Sequence, residues 1–306
     1  MKTWKAELLL LVITIVWGAT FSFTKIGLQF ASPFQFTTLR FAIALILSLI
    51  LWWKSFIKIS KTHFINGSIL GLFYAGGFIL QTLGLQFTSV TKSAFITGLS
   101  VALTPFAYKL IEKKKISIYQ WLGVFIVVIG LYFFTNPEIN NFNIGDLLTL
   151  FSTFFWAFYL VYMNKFTEKV VNFFETSQLV VSQFLIVFIF SFLGATIFEK
   201  HNTLHFNNQL ILALLYNGIV ASVILTSIHT SVQKYTTPVK AGLIFSLEPI
   251  FASIFALFIF NEILKAIEYL GAFLILLGVA TSEFGGFISN EILTKLNRRA
   301  FKKNQL

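Results

Sequence analysis

The 306 residues are 57% hydrophobic and only 11% charged, with a mean hydropathy of +0.81. Soluble domains carry about 25% charged residues, so a water-soluble globular chain is excluded and a polytopic membrane protein is the class that remains. No cysteine is present, which removes disulfide frameworks and thiolate metal sites. The net charge of +11 lies in short connections between apolar runs, where it reads as membrane orientation rather than as a nucleic-acid surface.

A membrane-spanning helix needs about 20 mostly apolar residues. Ten segments meet that need: 7–28, 34–53, 65–87, 91–111, 117–135, 145–163, 174–197, 209–231, 238–260 and 268–284. Lys2 and Lys5 precede the run Leu8–Val16, which continues to Leu28 without a small-residue cleavage site, so a retained first span is expected rather than a signal peptide. Ten spans put both ends of the chain on one side. Of the 23 Lys and Arg, 17 then fall on that side, Lys92, Lys200 and Lys265 on the other, and Lys25, Arg40 and Lys240 within spans. This bias predicts cytoplasmic termini in a multi-pass protein of the cell membrane. The tail 285–306 is basic, with Ile288, Ile292, Leu296 and Ala300 at four-residue spacing. It reads either as a helix on the anionic membrane surface or as a disordered basic segment.

A shift of 148 residues lays "FTSVTKSAFI" (87–96) on "YTTPVKAGLI" (235–244) and "QWLGVFIVVIGL" (120–131) on "EYLGAFLILLGV" (268–279). The ungapped frame pairs Lys92 with Lys240, Gly123 with Gly271 and Gly130 with Gly278. The chain therefore divides into two repeats of five spans, 7–135 and 145–284. Five is odd, so the repeats cross the membrane in opposite senses, an architecture that places a substrate site near the midplane between them. Lys92 and Lys240 mark the same corner on opposite faces. They serve either as gates at the two mouths or as snorkelling side chains.

Charged groups deep in hydrocarbon default to functional candidates. Glu248 lies mid-span beside Pro249, Arg40 lies a third of the way into span two, and His229 sits near one end of span eight. Glu248 can bind a substrate ammonium or a proton, or pair with Arg40 or Lys240. His229 also fits a packing role. Trp17, Tyr74, Gln81, Trp156, Tyr159 and Gln178 complete an aromatic-and-amide set suited to amphipathic organic solutes, although such residues also act as helix-packing groups. Gly67 and Gly71 form a G-x-x-x-G pair. There is no P-loop, H-E-x-x-H or G-x-S-x-G, and His201 and His205, four apart in a loop, are not assigned a metal.

"TIVWGATFSFTK" (14–25), "LRFAIA" (39–44), "FTSVTKSAFITGL" (87–99), "QWLGVFIVVIGL" (120–131), "KAGLIFSLEPIFA" (240–252) and "YLGAFLILLGVA" (269–280) resemble the EamA type of the drug/metabolite transporter superfamily, in two copies along nearly the whole chain. "EKKKIS" (112–117) departs from the family's "GER"-like turn. The resemblance implies ten helices in two inverted repeats around a central cavity. It also implies export, or sometimes uptake, of amino acids or related metabolites, with Trp17, Arg40 and Glu248 at characteristic positions. The superfamily includes nucleotide-sugar carriers and lipid-linked sugar flippases, so the substrate class stays open.

The expectation is an all-α secondary transporter working by alternating access on a small molecule in contact with membrane lipids. No nucleic-acid partner and no cofactor are expected, beyond the candidate role of Glu248 in proton coupling. The rivals are a lipid-linked sugar flippase and a membrane-embedded enzyme acting on lipid, which would gather its acidic and histidine residues at one interface.

Overall fold

The computed structural model describes residues 1–135, 143–200 and 204–282. In hydrocarbon every backbone polar group must be satisfied within its own segment, and the apolar runs accordingly form helices. The order is α1 (Thr3–Gly27), α2 (Pro33–Leu51), α3 (Trp53–Ile57), α4 (Lys61–Phe87), α5 (Val90–Gly98), α6 (Ser100–Glu112), α7 (Ile118–Thr135), α8 (Ile144–Thr167), α9 (Phe173–Phe198), α10 (Asn208–Leu215), a π-helical segment (Tyr216–Thr226), α11 (Ser227–Val232), α12 (Pro238–Phe245), α13 (Glu248–Phe260) and α14 (Ala266–Ser282). Small polar side chains start many of them: Ser60, Asn143, Asn172 and Asn207 each accept a hydrogen bond from a first-turn amide.

Among the described residues, eight helical stretches are long and apolar enough to cross a membrane. α5–α6 count as one of these, as do α10 through the residues after α11, and α12–α13. The shorter apolar helices Ile118–Phe134 and Ala266–Ser282 bring the crossings to ten. Phe106, Phe125, Tyr132, Phe258 and Phe273 are more than half exposed on the outside of the bundle. Such an apolar exterior fits a lipid-facing surface. The tail 285–306 lies outside the described residues.

Two of the crossings are interrupted within the bundle while their backbone stays right-handed. Span four divides at Leu99 between α5 and α6, and span nine divides at Ser246–Leu247 between α12 and α13. The breaks coincide under the 148-residue shift. Pro249 lies in the first turn of α13, and its missing N–H removes the helical bond to the Phe245 carbonyl, so the interruption falls one turn before it.

The inversion is visible where the repeats meet. α7 crosses α14 so that Gly123 abuts Gly278 and Gly130 abuts Gly271. Each glycine thus meets the partner of its own counterpart, which only antiparallel helices related by a two-fold operation produce. A Cβ at Gly271 would lie 2.3 Å from the backbone nitrogen of Phe134, so the close approach requires glycine. Gly67 and Gly71 do similar service in α4, lying against α9 at Ser182 and Ile186.

Candidate functional site

Midway along the bundle, α1, α2, α4, the α5–α6 break, α8, α11 and the α12–α13 break surround a common cavity. Trp17, Arg40, Tyr74, Gln81, Trp156, Tyr159, His229 and Glu248 line it, joined by Thr20, Phe78, Thr97, Ser100 and Phe245.

One wall is aromatic. Tyr74 stacks on Tyr159 with centroids 4.7 Å apart and meets Phe78 and Trp156 edge-on at 4.6 and 5.6 Å. The Tyr74 hydroxyl lies 2.7 Å from Thr226 Oγ1, and Tyr159 donates to Gln183 at 2.8 Å. These bonds fix the ring planes. On another side Trp17, His229 and Phe245 form a triangle with centroid separations of 5.1–5.6 Å. Trp17 donates through Nε1 to the Ala221 carbonyl at 3.1 Å. That acceptor lies in the π-helical segment, whose wider winding is a frequent feature of functional sites.

The two charges stand apart. Arg40 is 3% exposed, stacks over Phe78 at 4.2 Å and donates through Nε to Ser222 at 3.0 Å. Its terminal nitrogens have no acceptor among the described residues. Glu248, on the first turn of α13, has neither an ion pair nor a hydrogen bond among the described residues. It pairs with neither Arg40 nor Lys240. Trp156 Nε1 and His229 Nδ1 are also buried without a partner. A buried polar atom left unmatched is costly. A cavity holding an unpaired cation and an unpaired carboxylate is suited to a polar ligand.

The EamA-like transporter family matches this chain twice, over residues 4–136 and 143–283. The chain belongs to that family. An uncharacterized transporter of Archaeoglobus fulgidus is 33% identical over 90% of this chain and 84% of its own length. A probable amino-acid metabolite efflux pump of Escherichia coli is 26% identical over 92% of this chain and 95% of its own. A crystal structure at 17% identity superposes with a TM-score of 0.74, covering 93% of this chain and 98% of the other, which shows the shared fold.

Two sets of candidates lie elsewhere in this EamA-like chain. Gln178 does not line the cavity. It sits near the start of α9, where its amide donates to the Ser55 and Lys58 carbonyls and its oxygen lies 2.8 Å from His63 Nδ1. An amide early in a span meets a connecting loop before it reaches the midplane, so its place along the helix was the signal that it braces that loop. Lys92 and Lys240 do not reach the cavity either, and each is ion-paired rather than merely extended toward water: Lys92 with Asp146 at 2.6 Å, Lys240 with Glu7 at 2.9 Å. Among the described residues no group of three or more His, Asp or Glu could hold a metal. His201 lies outside the described residues.

Proposed function

We propose that this EamA-like transporter carries a small zwitterionic metabolite with an apolar body, an amino acid or a close relative, by alternating access. The observation that carries the reading is the cavity's two unpaired charges. Arg40 presents free N–H groups to a carboxylate, as a guanidinium does best. Glu248 takes the ammonium, and the aromatic wall takes the side chain and adds cation–π attraction. The probable amino-acid metabolite efflux pumps among its relatives support the same class. Export is the direction those relatives' names give, with both termini in the cytoplasm as the Lys and Arg bias predicts. Glu248 also serves as the proton-coupling carboxylate in this scheme, since a substrate ammonium and a proton compete for it.

Counterflow into proteoliposomes tests this with a panel of neutral amino acids, the matching amines and the matching carboxylic acids. The expected result is exchange of at least one amino acid and of neither single-charge analogue, with Arg40→Gln and Glu248→Gln both inactive. Exchange of amines and acids as well as amino acids would contradict the zwitterion reading.

A further inference from the structure

The lysines at the two mouths are half of a larger construction. A shift of 139 residues, distinct from the 148-residue shift of the later spans, carries Glu7 onto Asp146 and Trp17 onto Trp156. Glu7 and Asp146 are therefore equivalent positions on the first helix of each repeat. Asp146 of the second repeat receives Lys92 Nζ at 2.6 Å and Thr88 Oγ1 at 2.7 Å, both from the first repeat. Glu7 of the first repeat receives Lys240 Nζ at 2.9 Å and Thr236 Oγ1 at 3.2 Å, both from the second. Thr88 and Lys92 are the counterparts of Thr236 and Lys240. Even the local scaffolding repeats: Ser89 accepts the amide of Lys92, and Thr237 accepts that of Lys240.

The two clusters sit at opposite ends of the bundle. Lys25, about 27 Å along α1 from Glu7, donates to the carbonyl of Thr88, the residue that binds Asp146. Each acid lies ten residues, or about 15 Å, before the cavity tryptophan of its own helix. The helix pairs that they tie, α1 with α12 and α8 with α5, both line the cavity. In both clusters the lysine side chain is 25% exposed, and the acids are 16% (Glu7) and 0% (Asp146) exposed.

We infer that Glu7–Thr236–Lys240 and Asp146–Thr88–Lys92 are two equivalent latches, each closing one mouth by tying a helix of one repeat to a helix of the other, and that transport opens them in turn. The inference rests on the alternating-access reading above. An inverted pair of repeats that exchanges its two conformations to face either side needs the same closing contact on each face, and a pair of crossed, chemically matched contacts supplies it. Both latches are closed here. The mouth opposite the N-terminus carries an additional tie, because Glu262 of the second repeat accepts from Val90, Thr91 and the Thr91 hydroxyl. The 148-residue shift places Lys114 at the corresponding position, and there it pairs with Glu168 of the second repeat, so each mouth carries a further tie of its own.

The chain has no cysteine, so Ser100→Cys provides a single thiol in the cavity. Its labelling by a membrane-impermeant maleimide, measured from each face of vesicles with a tag on the N-terminus to tell the faces apart, reads which mouth is open. Glu7→Gln is expected to raise labelling from the N-terminal face about fivefold, the population shift that a partly buried ion pair can hold. Asp146→Asn is expected to raise labelling from the opposite face by a similar factor. The exchange Glu7→Lys with Lys240→Glu should return labelling toward the native rates. Labelling that shifts on the same face in both variants, shifts in neither, or is not restored by the exchange overturns the latches. Labelling needs no substrate. Responsive labelling in a chain that exchanges no amino acid overturns the substrate reading and leaves the latches standing; exchange without responsive labelling does the reverse.

Discussion

The mouths and the cavity of this protein follow opposite rules. At the mouths, acid, threonine and lysine recur at equivalent positions of the two repeats and cross between them. In the cavity, the charges do not recur. The 148-residue shift sets Glu248 against Ser100. A shift of 140 residues, which aligns the helix-capping Ser32 with Asn172, sets Arg40 against Val180. On the proposed mechanism, parts that work alike from either side keep their symmetry, and parts that recognise a molecule with one ammonium and one carboxylate do not. Aromatic groups, which hold a ligand without polarity, tolerate either rule: Trp17 and Trp156 are equivalent, whereas Tyr159 stands opposite Thr20.

The largest effects should come from the asymmetric region. Glu248→Gln is expected to weaken substrate binding about a hundredfold, since it removes one partner of a desolvated charge pair. Moving the carboxylate to its counterpart position, Glu248→Ser with Ser100→Glu, should rescue nothing in the same assay, because Arg40 stays on its own side. Rescue would mean that the cavity works symmetrically after all. The inter-repeat crossing should behave as the mouths do. Gly123→Ala and its counterpart Gly271→Ala both place a methyl group against the backbone of the facing helix, with contacts of 2.7 and 2.3 Å. Each is expected to cost about 1–3 kcal/mol of stability, read from thermal unfolding in detergent. A cost at one alone would break the symmetry there.

The smallest effect should fall where the repeats differ without consequence for the cavity. Lys114 binds Glu112 at 2.8 Å and also Glu168 at the N-terminal face, and these bonds, that to Glu112 first, raise its ammonium above the usual lysine range. A raised value means that the contribution is present below the ordinary lysine pKa and is lost only as pH climbs through the raised one. Lys114 is half exposed, so Lys114→Met should change stability by no more than about 0.5 kcal/mol, evenly between pH 5 and 9, in unfolding measured across that range.

Much of this was legible in the sequence. Apolar runs gave the crossings because hydrocarbon leaves the backbone no other option. The glycine pairs showed the inversion because each is required by a close helix crossing. Depth in a span located Arg40 and Glu248 at the cavity. Three features were not legible. The interruption at Leu99 follows only a lone glycine, a weak sign of a stop, whereas the one at Ser246–Leu247 was marked by Pro249 just beyond it. The π-helical winding around Ser222, which supplies the partner of Arg40, leaves no periodic trace in a helix that is apolar all round. Glu7 and Asp146 escaped because one shift does not fit the whole chain: the first helices align at 139 residues and the later ones at 148, and only the smaller shift shows the acids as a pair.

The most direct test of the account compares the small molecules in the medium of cells overexpressing the native chain with those of cells overexpressing Glu248→Gln. The account predicts that at least one zwitterionic compound accumulates outside with the native chain and not with the variant. Identical media, in a pair of strains that insert equal amounts of both proteins into the membrane, would contradict it.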